Sequence, residues 1–508
     1  MKRVALLSSA ALAAGILLAP GLTAQAAGTT KVTNSCILSV PDAGSTTPQK
    51  ICYTLFQPPG TDPRHRVPLI FHSHGWGGSR TTDPAAFSAF LNAGYGVLSF
   101  DQRGFGEDGG KARIENPAYE GKDVEKLVEL VSKLPWVQQD GPGDPHIGAI
   151  GGSYGGGYQF VGAFTEIADK HKQVFDALAP EITWWDLKQS LAPQGVTRTE
   201  WTTLLTAAGV NALPPEVLQG TAYGLATSLW PDGTVPGVPN LDAFFQKNGP
   251  AWQVSQGRRI DVPVLFGQGI TDTLFPLHQG LQNFAKALTP QARAESIFVG
   301  YNGGHVLPNA FPQAVAPSSD PCSKQLGGGS FQALTVKFFD HALKGKKTTL
   351  TGYGKYHLAT AGSTCTTVSS VTANASYPVG TVATTEVAGP PLGFKVVDGP
   401  IRVAGTPYLD GTVTALGVNN RAFFALGVGT SPADAKVVQG NVLPFASLTP
   451  VNGVATKIEL PSVAVDVPAG QSLFVLAMAT NDMFAGMGSR TPGAVVVQDA
   501  VVRLPVVS

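Results

Sequence analysis

At 508 residues the chain has material for two domains with sizeable cores, and its 35 Lys+Arg against 35 Asp+Glu leave a formal charge of zero. That balance excludes a basic stripe for nucleic acid and an acidic disordered tail. Only 14% of residues are charged, and 60 glycines and 39 prolines are spread through apolar segments, so the composition is that of a turn-rich globular protein.

The first stretch, MKRVALLSSAALAAGILLAPGLTAQA, opens on Lys2 and Arg3, runs apolar, and ends on small residues around Ala24 and Ala26. This is the pattern of a secretory signal over residues 1–26, cleaved after Ala26. Pro20 and Gly21 interrupt the run short of a membrane span, and no later stretch reaches spanning length. The mature chain is therefore expected to be secreted, with no membrane span. Four cysteines suit an oxidising compartment, and local pairing is the preferred one of three connectivities: Cys36 with Cys52, and Cys322 with Cys365. None of them has zinc-ligand spacing, so no metal site is expected.

From about Val67 to Lys344, short apolar runs alternate with helical periodicity, which predicts a mostly parallel sheet with crossover helices. VPLIFHSHG, YGVLSFDQRG, HIGAIGGSYG, VPVLFGQG and ESIFVGYNGG read as strands. Val124, Leu127, Val128, Val131 and Leu134 make one apolar helical face, and FQALTVKFFDHALKG is a further helix that stops at Gly345. Residues 181–257 break this rhythm with five of the seven tryptophans and with the breakers LPPE and WPDGTVPGVPN. They are expected to form a helical cap inserted over the strand ends. After about Gly352 the helical signals fade into short Val-, Thr- and aromatic-rich strands separated by turns. The expected division is a catalytic domain over 27–350 and an all-β sandwich over 351–508.

The chemistry gathers at strand ends. Gly151-Gly152-Ser153-Tyr154-Gly155 lies between a predicted strand and a predicted helix, as a nucleophile elbow requires. A β-carbon on Gly151 or Gly155 would collide with a neighbouring element, and the helix N-terminus behind Ser153 supplies positive potential where an oxyanion would form. A serine hydroxyl needs a base, and the base needs an orienting carboxylate. In chain order these are Asp272, just after VPVLFGQGIT, and His305, just after SIFVGYNGG. The backbone N–H of Tyr154 is the first expected oxyanion donor and that of Trp76, in HSHGWGGSR, the second. His72 and His74 read at least as well as loop-fixing residues. Arg103, in FDQRGFGEDGG, is expected to pair with a carboxylate beneath the site loops.

At these motifs the chain resembles the X-prolyl dipeptidyl peptidase and cocaine esterase family of α/β-hydrolases. The resemblance rests on DQRGFGEDGG, LVSKLPW, GGSYGG, GQGITDTLFP and KFFDHALKG, and covers roughly residues 67–345. It implies an α/β-hydrolase fold with a C-terminal jelly-roll-like domain, no cofactor, and Ser153, Asp272 and His305 as nucleophile, acid and base. The chain departs from the cocaine-esterase branch in the oxyanion loop, where HGWGG replaces the segment carrying an early tyrosine.

The expected activity is hydrolysis of an ester or amide in a small-molecule substrate through an acyl-enzyme, with a broad esterase preferred and an X-prolyl dipeptidyl peptidase as the alternative. A transferase would share the acyl-enzyme. A binding protein on an inert scaffold is the remaining class, and a complete set of three residues in order argues against it. The tryptophans, Trp184 and Trp185 first, are candidates for an acyl pocket. Glu181 and Asp186 are candidates for the carboxylate that a peptidase would need to hold a terminal ammonium. Oligomeric state is not legible.

Overall fold

The alternating apolar runs become one ten-stranded sheet. A computed structural model describes residues 29–305, 320–360 and 364–507; the expected signal segment lies outside them. The strands in chain order are β1 (Lys31–Pro41), β2 (Pro48–Gln57), β3 (Leu69–Ser73), β4 (Gly96–Phe100), β5 (Ile147–Gly152), β6 (Ala177–Glu181), β7 (Leu265–Gly269), β8 (Ile297–Tyr301), β9 (Tyr356–Ala359) and β10 (Cys365–Val368). In space they run β1-β2-β4-β3-β5-β6-β7-β8-β9-β10. From β4 to β9 the pairs are parallel, and antiparallel strands close both edges. Helices cover both faces of the parallel strands, which explains why these read as continuous apolar runs. Helices α1 (Glu120–Val131) and α2 (Tyr154–Lys170) pack on one face. The other face carries the short helix Ser88–Asn92 and a long C-terminal one, Phe331–Ala342, which meet through Phe90 and Phe339.

Sheet topology decides where a site can form. The chain leaves β3 towards β4 on one side, whereas it leaves β5 through α2 towards β6 on the other. The loops after β3 and β5 therefore diverge and leave a crevice at the carboxyl ends of the strands. The cap stands over that crevice. It consists of α3 (Leu187–Leu191), α4 (Thr199–Ala208), α5 (Pro215–Thr227), α6 (Leu241–Phe245) and α7 (Pro250–Ser255), all between β6 and β7.

The β domain begins later than residue 351. Strands β9 and β10 continue the large sheet, and the disulfide Cys322–Cys365 ties β10 to the helix Pro321–Gln325. The second disulfide, Cys36–Cys52, joins directly opposed residues of the β1–β2 hairpin. From Ala375 onward two antiparallel sheets form a sandwich, one built on Ala375–Ala383, Val496–Leu504, Tyr408–Ala415 and Val451–Glu459, the other on Leu392–Asp398, Ser472–Met478 and Asn420–Gly429. The last of these strands, NRAFFALGVG, is apolar on both faces for a reason. Ala422, Phe424 and Leu426 enter the sandwich core, while the intervening Phe423 and Ala425 join a second core shared with cap residues Leu191, Val196 and Trp201.

Candidate active site

Ser153 sits at the turn from β5 to α2 with φ 59° and ψ −121°, outside the regions open to a relaxed L-residue. The neighbouring glycines make this turn possible. A Cβ on Gly151 would lie 2.4 Å from the Gly155 carbonyl oxygen, and one on Gly155 would lie 2.4 Å from that of Ser73. The elbow is therefore pressed directly against the loop after β3. Ser153 N–H donates to the Glu181 carbonyl at 3.0 Å, and the amides of Gly156 and Gly157 donate to the carbonyl of Ser153.

Asp272 follows β7 and is fully buried. Its Oδ1 accepts the N–H groups of Leu274 and Phe275 at 2.9 and 2.8 Å; its Oδ2 accepts His305 Nδ1–H at 2.7 Å and Gln268 Nε2 at 3.3 Å. A carboxylate supplied with this many donors is an efficient orienting anion. Because Nδ1 carries the proton that Asp272 accepts, His305 is left with Nε2 as an acceptor, the tautomer a general base needs. The close approach of the two loops depends on Gly304, where a Cβ would lie 2.8 Å from that of Asp272.

The cap then fixes the histidine. Trp201 and Phe275 meet the His305 ring edge-to-face at centroid distances of 5.8 and 5.3 Å. Trp201 Nε1 donates to Thr273 Oγ1 at 3.0 Å, and the Thr273 hydroxyl and amide both donate to the His305 carbonyl at 3.0 Å. Arg198, at the base of the same cap helix, is fully buried. Burial lowers its pKa to about 10, against the raising influence of the Asp272 charge. Its guanidinium lies 5.1 Å from the ring of Phe484, which belongs to the β domain.

On the opposite side of Ser153, the loop after β3 is tied down by His74. Its Nδ1–H donates to the Gly75 carbonyl at 2.8 Å, and its Nε2 accepts the Gln102 amide at 3.0 Å. Burial lowers the His74 pKa and so favours the neutral ring that this pattern requires. Among the described residues the amides of Tyr154 and Trp76 donate to no protein acceptor. The Trp76 ring packs edge-to-face on Tyr154 at 5.0 Å, and its Nε1 donates to the Leu205 carbonyl at 2.8 Å. Beneath these loops Arg103 grips both carboxylate oxygens of Asp123 at 2.6 and 2.9 Å and reaches Asp42 at 2.9 Å.

Ser153, Tyr154 and Trp76 open into a narrow cavity of about 70 Å³. Trp184, Leu187, Leu191, Val217, Leu241 and Phe275 line it, and α4 adds Thr202, Leu205 and Thr206. Among the described residues no Asp, Glu, His, Lys or Arg side chain lines it; the polar side-chain groups at its wall are hydroxyls and tryptophan N–H groups. The other sequence candidates lie elsewhere. Glu181 accepts the Tyr301 hydroxyl at 3.2 Å and faces a separate cleft beside His72 and Thr335; burial raises its pKa to about 7. Asp186 caps α3 by accepting the Gln189 amide, and it shares a third cleft with Trp185. At the opposite ends of the strands Asp140, His146 and Asp176 cluster, but both ring nitrogens of His146 are engaged, by Asp140 at 2.7 Å and by the Leu343 carbonyl at 2.7 Å. Sequence reasoning did not single out Trp201 or Thr273 as site residues. The one available signal was the concentration of tryptophan in the cap.

Comparison with known proteins gives a consistent picture. The family model described as X-Pro dipeptidyl-peptidase (S15 family) matches residues 49–306. An uncharacterised 31.7 kDa protein in the traX-finO intergenic region of Escherichia coli is 34% identical over 97 residues, 19% of this chain and 32% of that protein. The chain thus spans about a third of the length of that curated relative. Among solved structures, a CocE/NonD family hydrolase from Staphylococcus aureus superposes with a TM-score of 0.63 at 13% identity, covering 94% of this chain and 97% of the other. An aminopeptidase from a marine sediment Thaumarchaeota archaeon gives 0.61 at 13% identity over the same shares. An alpha-amino acid ester hydrolase gives 0.59 at 12% identity over 96% and 98%. At these identities the likeness is one of fold, and it extends through both the α/β-hydrolase core and the β domain.

Proposed function

The chain belongs to the S15 family of X-Pro dipeptidyl-peptidases, and from that premise we propose that it is an exported serine hydrolase that cleaves carboxylic esters. Ser153 attacks the ester carbonyl while His305 Nε2 takes its proton, and Asp272 stabilises the resulting imidazolium. The amides of Tyr154 and Trp76 receive the oxyanion. His305 returns the proton to the departing alcohol, and a water then repeats the sequence on the acyl-enzyme.

The observation that carries the choice of ester over peptide is the lining of the cavity at Ser153. A dipeptidyl peptidase must neutralise its substrate's terminal ammonium with a carboxylate at the site, because a buried unpaired charge costs several kcal/mol. Among the described residues no carboxylate lines this cavity, whose wall is apolar surface, hydroxyls and tryptophan N–H groups. Export is supported by the signal pattern of residues 1–26 and by two disulfides; among the described residues no helix is long and apolar enough to cross a membrane.

X-Pro peptide cleavage is the second reading, favoured by the family model itself. The two are separated by assaying the mature chain and Ser153→Ala with p-nitrophenyl esters and an X-Pro-p-nitroanilide. Ester turnover that the variant loses by roughly a thousandfold or more, without anilide cleavage, is the expected result. Efficient anilide cleavage would replace the ester reading with the peptidase one.

A further inference from the structure

We infer that the cavity receives the acyl part of the ester, and that helix α5 and Trp230 gauge the length of aliphatic chain it accepts. The inference rests on the ester reading above. The side follows from where the proton must go. The leaving alcohol has to meet His305, and His305 is not among the residues that line the cavity, its side chain keeping 15% of its surface exposed. Ser153 does line it, together with the two residues whose amides would hold the oxyanion. At the tetrahedral carbon the two substituents diverge, so the alcohol departs on the histidine side and the acyl chain enters the cavity.

The class of acyl group follows from the wall. A carboxylate or ammonium on the chain would be stripped of water with nothing to pair it, whereas each methylene gains by burial.

The length gauge lies on α5. Val217, Gly220, Thr221 and Gly224 line the cavity at spacings of i, i+3, i+4 and i+7, a single helical face. Two of these four are glycines inside a helix, where glycine is costly relative to alanine, so the space they leave is where the structure gains. At Gly220 a Cβ would lie 2.8 Å from Leu241 Cγ, so that space is already filled by the neighbour. At Gly224 the nearest atoms to a Cβ are the Leu229 carbonyl oxygen at 3.5 Å, with Pro231 and Thr197 at 3.8 Å. A methyl group therefore fits there in ordinary contact and takes up lumen. Beyond it stands Trp230, packed on Phe245 at 6.2 Å and hydrogen-bonded through Nε1 to Asp242. Trp230 and the adjoining Pro231 also line a neighbouring surface cleft of about 350 Å³, so these two residues stand between the two spaces.

The test compares two substrate series on the mature enzyme: methyl esters of straight-chain acids from acetate to dodecanoate, and acetates of straight-chain alcohols over the same range. With the acyl series, kcat/KM is expected to rise about fourfold per methylene until the chain meets Trp230, and then to fall. The alcohol series should show no such rise. Gly224→Ala should move the optimum to shorter acids, and Trp230→Ala should move it to longer ones. A rise that follows the alcohol, or an optimum that neither variant moves, overturns the inference. Failure of every ester to turn over in a Ser153-dependent way would overturn the ester reading, and the gauge with it.

Discussion

His305 is held from three sides, by Asp272 at Nδ1, by the Trp201 and Phe275 rings, and by Thr273 at its carbonyl. Trp201 acts here through Thr273 and is a positioning residue. Trp201→Phe keeps an aromatic edge against the histidine and removes the Nε1 donor. Loss of one such hydrogen bond is worth about 1 kcal/mol, so kcat should fall roughly five- to tenfold while KM for a short ester changes little. Steady-state kinetics on methyl acetate decides this; an unchanged kcat would show that Thr273 holds the loop unaided. Ser153, Asp272 and His305 could be named from sequence because each sits in a short motif directly after a predicted strand. Trp201 could not, because its role depends on a cap helix folding back over a loop 104 residues later. Glu181 was a poor choice of pocket residue for a comparable reason. It ends a strand whose side chains alternate between faces, and its carboxyl turns to Tyr301 instead of towards Ser153.

At the scale of elements, the parallel strands, α1 and the last long helix were legible because their apolar periods are strong. The boundary of the β domain was not. β9 and β10 are short Val-, Thr- and aromatic-containing strands whose composition does not distinguish a sheet edge from a sandwich. Nor does sequence reveal what the β domain does for the cap. Arg421 NH2 donates to the Ser228 carbonyl at 3.0 Å, and Arg490 NH2 to that of Thr227 at 2.6 Å. Two cations thus meet the carbonyl end of α5, where the helix dipole favours them. Thr199 and Ser228 hydroxyls in turn donate to the carbonyls of Ala485 and Gly486. Among the described residues the β domain supplies none of those lining the cavity, yet it braces α4 and α5, two of the helices that form its wall.

For the molecule as a whole, the buried acids set how stability responds to pH. Burial, with the charges of Asp101 and Asp123, raises Asp108 to about 9 against the Cys52 N–H that it accepts; burial likewise raises Glu120 and Glu181 to about 7. In the fold these groups hold their protons at pH values where the unfolded chain has released them, so each costs stability as pH rises, by about 1.4 kcal/mol per unit. Buried histidines act in the other direction. His72 and His278 are lowered to about 4 and 3, so they cost stability as pH falls below the unfolded histidine value. Above about pH 7 these two histidines are silent, and Asp108 remains together with Glu115, which burial holds well above the usual carboxylate range. Thermal stability should therefore decline from pH 7 to pH 9, and Asp108→Asn should make that decline shallower. Parallel slopes for the two proteins in scanning calorimetry would refute the assignment.

The central claim is that an ester acylates Ser153 at the mouth of an apolar cavity. Its most direct test is rapid acid quenching of the mature enzyme during turnover of p-nitrophenyl hexanoate, followed by peptide mass mapping. A hexanoyl adduct on the peptide carrying Ser153, absent in Ser153→Ala, is the predicted result. Ester turnover with no adduct there, or with the acyl group on another residue, would contradict the account.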